Sequence, residues 1–254
     1  MTMDVRPSPN LDRIALGPWR ALGLLVLYFA LQIAAALALR SLGMLPRFRQ
    51  AAFAHPSASA ALAEVLVLAA LPILLLARYR WPARWPMAVL PGFGVCWPGW
   101  RWLGAGVLLA LLILPIVLGL NAALFPKQGV TQSVLAIFDQ AHWWMRVLLT
   151  LLIVFLAPFV EELLFRGVLL AGFSERLPLL WAVALSVFLF AIAHLPDTGG
   201  HWQVLPGLVA LAFGLVWLRL RSGSLLPGYV THALYNAAVL TLALAPLLQG
   251  HAKA

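Results

Sequence analysis

The chain has 254 residues, of which 63% are hydrophobic and 10% charged, with 17 Lys and Arg against 8 Asp and Glu. Soluble domains average about 25% charged residues, so the composition excludes one and implies an all-α, polytopic transmembrane bundle. The net charge of +9 does not point to nucleic acid, because the basic residues sit mostly between apolar runs, where they fix topology; the one cysteine, Cys96, forbids an intramolecular disulfide or a cysteine-based metal site.

Residues 1–20 form a mostly polar tail. The apolar run after it is long enough to span, so it reads as an uncleaved first helix rather than a signal peptide. Seven spans are expected, with six to eight admissible: Ala21–Leu39, Ala58–Ala77, Leu103–Phe125, Val147–Phe173, Leu179–Leu195, Val204–Leu220 and Leu225–Leu247. The loop Arg78–Trp102 mixes Arg, Trp and Pro, a composition suited to the headgroup layer. Glu64 lies near the start of the second span and reads as interfacial. Leaving Arg166 aside as part of a span, ten positive loop and tail residues fall on one side and six on the other. The richer side is cytoplasmic, which puts the N-terminus in the cytoplasm and the chain in the cell membrane.

The fourth span carries charge where it costs most. The stretch "APFVEELLFRG" places Glu161, Glu162 and Arg166 in an apolar run. A central charge costs about 2.5–3.5 kcal/mol on insertion scales. Glu162 and Arg166, at i and i+4, share a helix face and can pair. Glu161 is rotated by about 100° and lacks that partner. One carboxylate is thus neutralised structurally, and the other is left to act as a base toward water. Pro158 removes a helical hydrogen bond just upstream and is expected to kink the span.

Two of the six histidines are embedded. His194 ends the fifth span in "FLFAIAHLPDTGG", and His232 lies in the seventh in "YVTHALYNAAV", with Asn236 four residues on. The other four fall in loops or the tail. Ideal helix rise puts Glu161 about 18 Å and His194 about 24 Å from the turn joining spans four and five. It puts His232 about 10 Å and Asn236 about 16 Å from the turn joining spans six and seven. If both turns lie at one level, these depths permit convergence only with tilt or kinks.

At these residues the sequence resembles the CPBP family of CAAX prenyl proteases and bacteriocin-processing proteins, also called Abi. Its three motifs appear in order as Glu161-Glu162-Leu-Leu-Phe-Arg166, Phe190-Ala-Ile-Ala-His194 and His232-Ala-Leu-Tyr-Asn236. The resemblance covers roughly 150–240 and divides the chain into a tail (1–20), N-terminal membrane helices with the interfacial loop (21–140), a catalytic membrane core (141–247) and a C-terminal tail (248–254). It implies an intramembrane endopeptidase, a hydrolase acting on a membrane-associated peptide or protein that in some members carries a lipid. Glu161 and His194 would activate water, His232 and Asn236 would bind the oxyanion, and Glu162 and Arg166 would support the site.

Two versions of this chemistry are open. The metal-free, glutamate-dependent one is favoured, because no HExxH helix is present and Asn236 is a poor zinc ligand. In the metalloprotease version, Glu161, His194 and His232 would hold zinc. Two other classes compete: a non-catalytic bacteriocin-immunity or peptide-binding membrane protein of the same fold, and a transporter or proton relay. The third is disfavoured by the three motifs and by the lack of an obvious inverted repeat. The segment "GHAKA" is no CaaX box, so the chain is not its own prenylation target.

Overall fold

The computed structural model describes residues 16–49, 62–63, 67–68, 70, 93–124, 138, 143–195 and 202–251. Most of the expected second span and of the Arg78–Trp102 loop lies outside the described residues, as do His55, Glu64, His142 and His201.

Six principal helices follow: α1 (Gly17–Gly43), α2 (Trp100–Leu124), α3 (Trp143–Ser174), α4 (Leu179–Ala193), α5 (Leu205–Ser222) and α6 (Leu226–His251). A helix stands at each expected span that the described residues cover. Among the described residues four helical stretches are long and apolar enough to cross a membrane: Gly17–Gly43, Trp100–Leu120, Trp143–Ser174 and Trp202–Ser222. This is an all-α membrane bundle. α4 has only 15 residues, about 22 Å of rise against a hydrocarbon core of about 30 Å. It is shorter than a full crossing and is capped by His194.

Burial distinguishes the bundle's periphery from its axis. In α1 only 11% of the most apolar window is buried, whereas in α3 half of it is. α3 is accordingly the inner helix. Val160, Leu163, Leu164, Phe165, Val168, Leu169 and Leu170 are all fully enclosed and anchor the main apolar cluster. α2 packs on α5 and α6, α5 packs on α4 and α6, and α1 lies against the C-terminal part of α3.

α3 is not uniformly α-helical. Leu152–Leu156 and Leu163–Leu169 are π turns that flank the α-helical Ala157–Glu162. The expectation of a simple kink at Pro158 is thereby refined. The N–H of Ala157 reaches back five residues to the Leu152 carbonyl, so a widened turn absorbs the donor that proline lacks.

Two tertiary contacts set the ends of the helices. Both carboxylate oxygens of Glu175, just past α3, accept hydrogen bonds at the start of α1, from Leu16 N–H at 2.9 Å and Gly17 N–H at 2.7 Å. They satisfy donors that a helix N-terminus leaves open. At the other contact, Gly223 closes α5 in the left-handed region (φ 69°), and Leu225 N–H donates to the Gly94 carbonyl at 2.7 Å. A Cβ on Gly167 would lie 3.2 Å from the Phe93 carbonyl oxygen and 3.6 Å from Leu225. The α5–α6 turn is thus sunk to the level of Gly167.

Glu175→Ala should release the N-terminus of α1. The expected loss is about 1 kcal/mol, typical of a lost helix cap, read as a lower thermal midpoint of the purified protein. Glu175→Gln, which keeps an acceptor, should lose less. An unchanged midpoint in both variants would remove this carboxylate from the docking of α1.

Candidate active site

The six side chains singled out in the sequence come from three helices. α3 supplies Glu161, Glu162 and Arg166, α4 ends on His194, and α6 supplies His232 and Asn236. Five of them meet. Glu161 Oε2 lies 3.4 Å from His194 Nε2 and 3.6 Å from His232 Nε2. Neither distance is that of a well-formed N–H···O bond, which is 2.7–3.2 Å.

Glu162 works behind this cluster. Its Oε1 accepts from Arg166 Nη1 at 2.9 Å, the pairing expected from the i, i+4 spacing, and from His232 Nδ1 at 3.3 Å. The second contact is absent from the sequence reading. Arg166 Nη2 also donates to the Ala212 carbonyl of α5 at 3.3 Å. Its guanidinium stacks over the Phe190 ring of α4 at 4.3 Å, a favourable cation–π geometry. One pair of charges therefore ties α3 to α4, α5 and α6.

The hydrogen bonds assign both imidazoles. His194 Nδ1 is 2.7 Å from the Phe190 carbonyl oxygen. A carbonyl only accepts, so Nδ1 carries the proton. His232 Nδ1 faces the Glu162 carboxylate and is protonated for the same reason. Each ring therefore turns Nε2 toward the same oxygen of Glu161. Phe190 is the floor beneath them, with ring centroids 4.4 Å from His194 and 5.7 Å from His232.

Burial grades the site. The side chains of Glu162 and His232 are 1% and 2% exposed, whereas those of Glu161 and His194 are 18% and 22% exposed. The Glu161–His194 side therefore lies nearer the surface than the Glu162–Arg166 side. Gly228, one turn before His232, makes room for the inner carboxylate: a Cβ there would come within 2.9 Å of Glu162 Oε2. A glycine four residues before an embedded histidine, on the same helix face, was the legible signal for this close approach.

The depth mismatch expected from rise alone resolves in two ways. The α5–α6 turn lies level with Gly167 and not with the α3–α4 turn. From Leu225 to His232 is about 10 Å of rise, and from Gly167 back to Glu161 about 9 Å. Glu161 and His194 close their gap through side-chain direction. Side chains lean toward the N-terminus of their own helix. α3 and α4 run in opposite senses, so the two groups lean toward each other.

Asn236 does not join the five. Its Nδ2 donates to the Ile153 carbonyl of α3 at 3.0 Å. A zinc ion would require Glu161, His194 and His232 as its ligands. Among the described residues no group of three or more His, Cys, Asp or Glu side chains is arranged to hold a metal ion.

The family model of the type II CAAX prenyl endopeptidase Rce1-like proteins matches residues 142–238, the stretch that contains all six of these side chains. No curated protein and no solved structure matches the chain.

The two glutamates should respond differently to neutralisation. Glu162→Gln breaks a buried pair and should destabilise by about 3–5 kcal/mol, the usual cost of stranding one buried partner. Glu161→Gln should cost distinctly less. Denaturation of both variants in one detergent checks the order, and equal losses would dissolve the distinction between a supporting and a reacting carboxylate.

Proposed function

We propose that this protein, a membrane protein whose residues 142–238 belong to the CAAX prenyl endopeptidase family, hydrolyses a peptide bond within the bilayer by carboxylate-activated water. The substrate is a membrane-associated peptide or protein of CaaX type. The observation that carries the reading is the convergence of two Nε2 atoms, each with its Nδ1 proton committed elsewhere, on one buried oxygen of a carboxylate whose side chain is partly exposed.

The chemistry follows from those positions. A water between Glu161 Oε2 and His194 Nε2 is oriented by two acceptors. As its oxygen attacks the scissile carbonyl carbon, its proton passes to Glu161. The carbon–nitrogen bond then breaks, and the same proton goes on to the leaving amine through Glu161 or His194. His232, held through Nδ1 by Glu162, donates from Nε2 to the developing oxyanion when its ring carries both protons, the kind of contact worth about 2.7–4 kcal/mol. Arg166 is too deep to touch substrate and acts by holding Glu162.

A farnesylated CaaX peptide offered to purified protein in bilayers tests this. Wild type should cleave it, and Glu161→Gln should fall by at least about a hundredfold in kcat, the lower range for removing a general base. A strong chelator should leave the rate unchanged. Chelator inhibition that zinc restores would replace carboxylate activation by the metal route. Cleavage by Glu161→Gln at the wild-type rate would end the assignment, and immunity conferred equally by both forms would favour a binding protein.

A further inference from the structure

α2 lies outside residues 142–238, yet it is seated against the helix that carries His232. At Gly106 the two main chains meet with no side chain between them. A Cβ on Gly106 would stand 2.5 Å from the Pro227 carbonyl oxygen and 3.2 Å from Pro227 Cα. A Cβ on Gly104 would meet nothing within 4 Å among the described residues. The close approach therefore needs a glycine at one position of α2 and not at the other. Further along α2, Ile113 and Val117 are buried with Leu211 and Leu215 of α5, and Tyr235 of α6 packs on the same cluster. Gly106, Ile113 and Val117 share one helix face by their spacing.

Thr231 fastens this contact. It is fully buried. Its hydroxyl lies 2.8 Å from the Gly106 carbonyl oxygen and 3.0 Å from that of Pro227, one turn back in α6. A hydroxyl donates one proton, so two carbonyls share it, one on each helix. Thr231 and His232 are consecutive, about 100° apart around α6. The first reaches α2 and the second reaches Glu162 of α3. The rotation of α6 is thus referred to a helix on either side.

We infer that α2 is part of the catalytic unit and that Thr231 is a positioning residue: its hydroxyl, held by the Gly106 carbonyl, sets the depth and rotation at which α6 presents His232 to Glu161. Apolar packing in a bilayer selects weakly among rotations, whereas a hydrogen bond between helices is directional. A hydroxyl also permits a closer approach than a methyl. The Thr231–Gly106 contact is 2.8 Å, and a carbon stands about 3.3–3.6 Å from a carbonyl oxygen. Thr231→Val, equal in shape, would therefore part α2 from α6 by about half an ångström. It strands no carbonyl, since in a regular helix each also faces the main-chain N–H four residues on. The kinetic consequence rests on the peptidase reading above, and the contact itself does not.

The forms compared are wild type, T231V, T231S, G106A, G106A/T231V and G104A, by kinetics with the farnesylated CaaX peptide and by thermal midpoint. T231V should lower kcat by about tenfold, part of the loss for a full ångström of misplacement, with KM little changed. T231S, which keeps the hydroxyl, should recover most of that rate. G106A should wedge the helices apart and lower kcat as T231V does, and G104A should not. With the contact already open, T231V should cost no more than about twofold further in the G106A background. Equal kcat for T231V and T231S overturns the proposal. So do equal fractional losses for T231V in both backgrounds, which would assign the hydroxyl to Pro227 within α6. Should G106A not fold, the comparison of T231V with T231S decides alone, in kcat or in midpoint. If wild type cleaves nothing, the peptidase reading falls by itself. The midpoints then decide the contact, with non-additive losses upholding it and additive losses overturning it.

Discussion

One oxygen, Glu162 Oε1, is the point through which the helices of the site are referred to one another. It accepts from Arg166 within α3 and from His232 in α6. Arg166 carries the connection onward to a carbonyl of α5 and to the face of Phe190 in α4. Between lipid-facing helices there is no hydrophobic drive to select a rotation, since lipid tails are as apolar as leucine. A buried charge has only a few acceptable partners, and removing one of them leaves the other uncompensated. The pair is thus a poor source of net stability and an effective means of choosing one rotation and depth for each helix.

The same constraint explains the grading of exposure. Glu162 and His232 are sealed, where water cannot compete for the hydrogen bond between them. Glu161 and His194 sit at the margin, with partly exposed side chains. α4 serves this by stopping after 15 residues. His194 is then a helix end rather than a mid-helix side chain, and its ring folds back on the Phe190 carbonyl.

What could be read beforehand was what depends on sequence separation along a single helix. The Glu162–Arg166 pair is an i, i+4 contact and appears as expected, and the helices follow the apolar runs. What could not be read depends on relations between helices. The sharing of Glu162 by His232 requires the rotation of α6 about its axis, which composition does not encode. The depth of the α5–α6 turn required knowledge that Phe93–Cys96 packs over it and that Leu225 bonds to Gly94. The partner of Asn236 was invisible for another reason. It is a main-chain carbonyl, and its need for a donor arises only from the π register that follows from Pro158.

That register bears on why a proline stands three residues before Glu161. A regular helix satisfies its own carbonyls, and its shape is then independent of its neighbours. Removing the N–H at residue 158 passes one bond of α3 to a side chain of α6. The path of the segment Ala157–Glu162 then depends on the helix that also carries His232. Two groups that must meet at Glu161 Oε2 thereby share a common anchor, instead of being positioned by two helices free to slide in lipid. Directional bonds of this kind hold a geometry that apolar packing alone would leave loose.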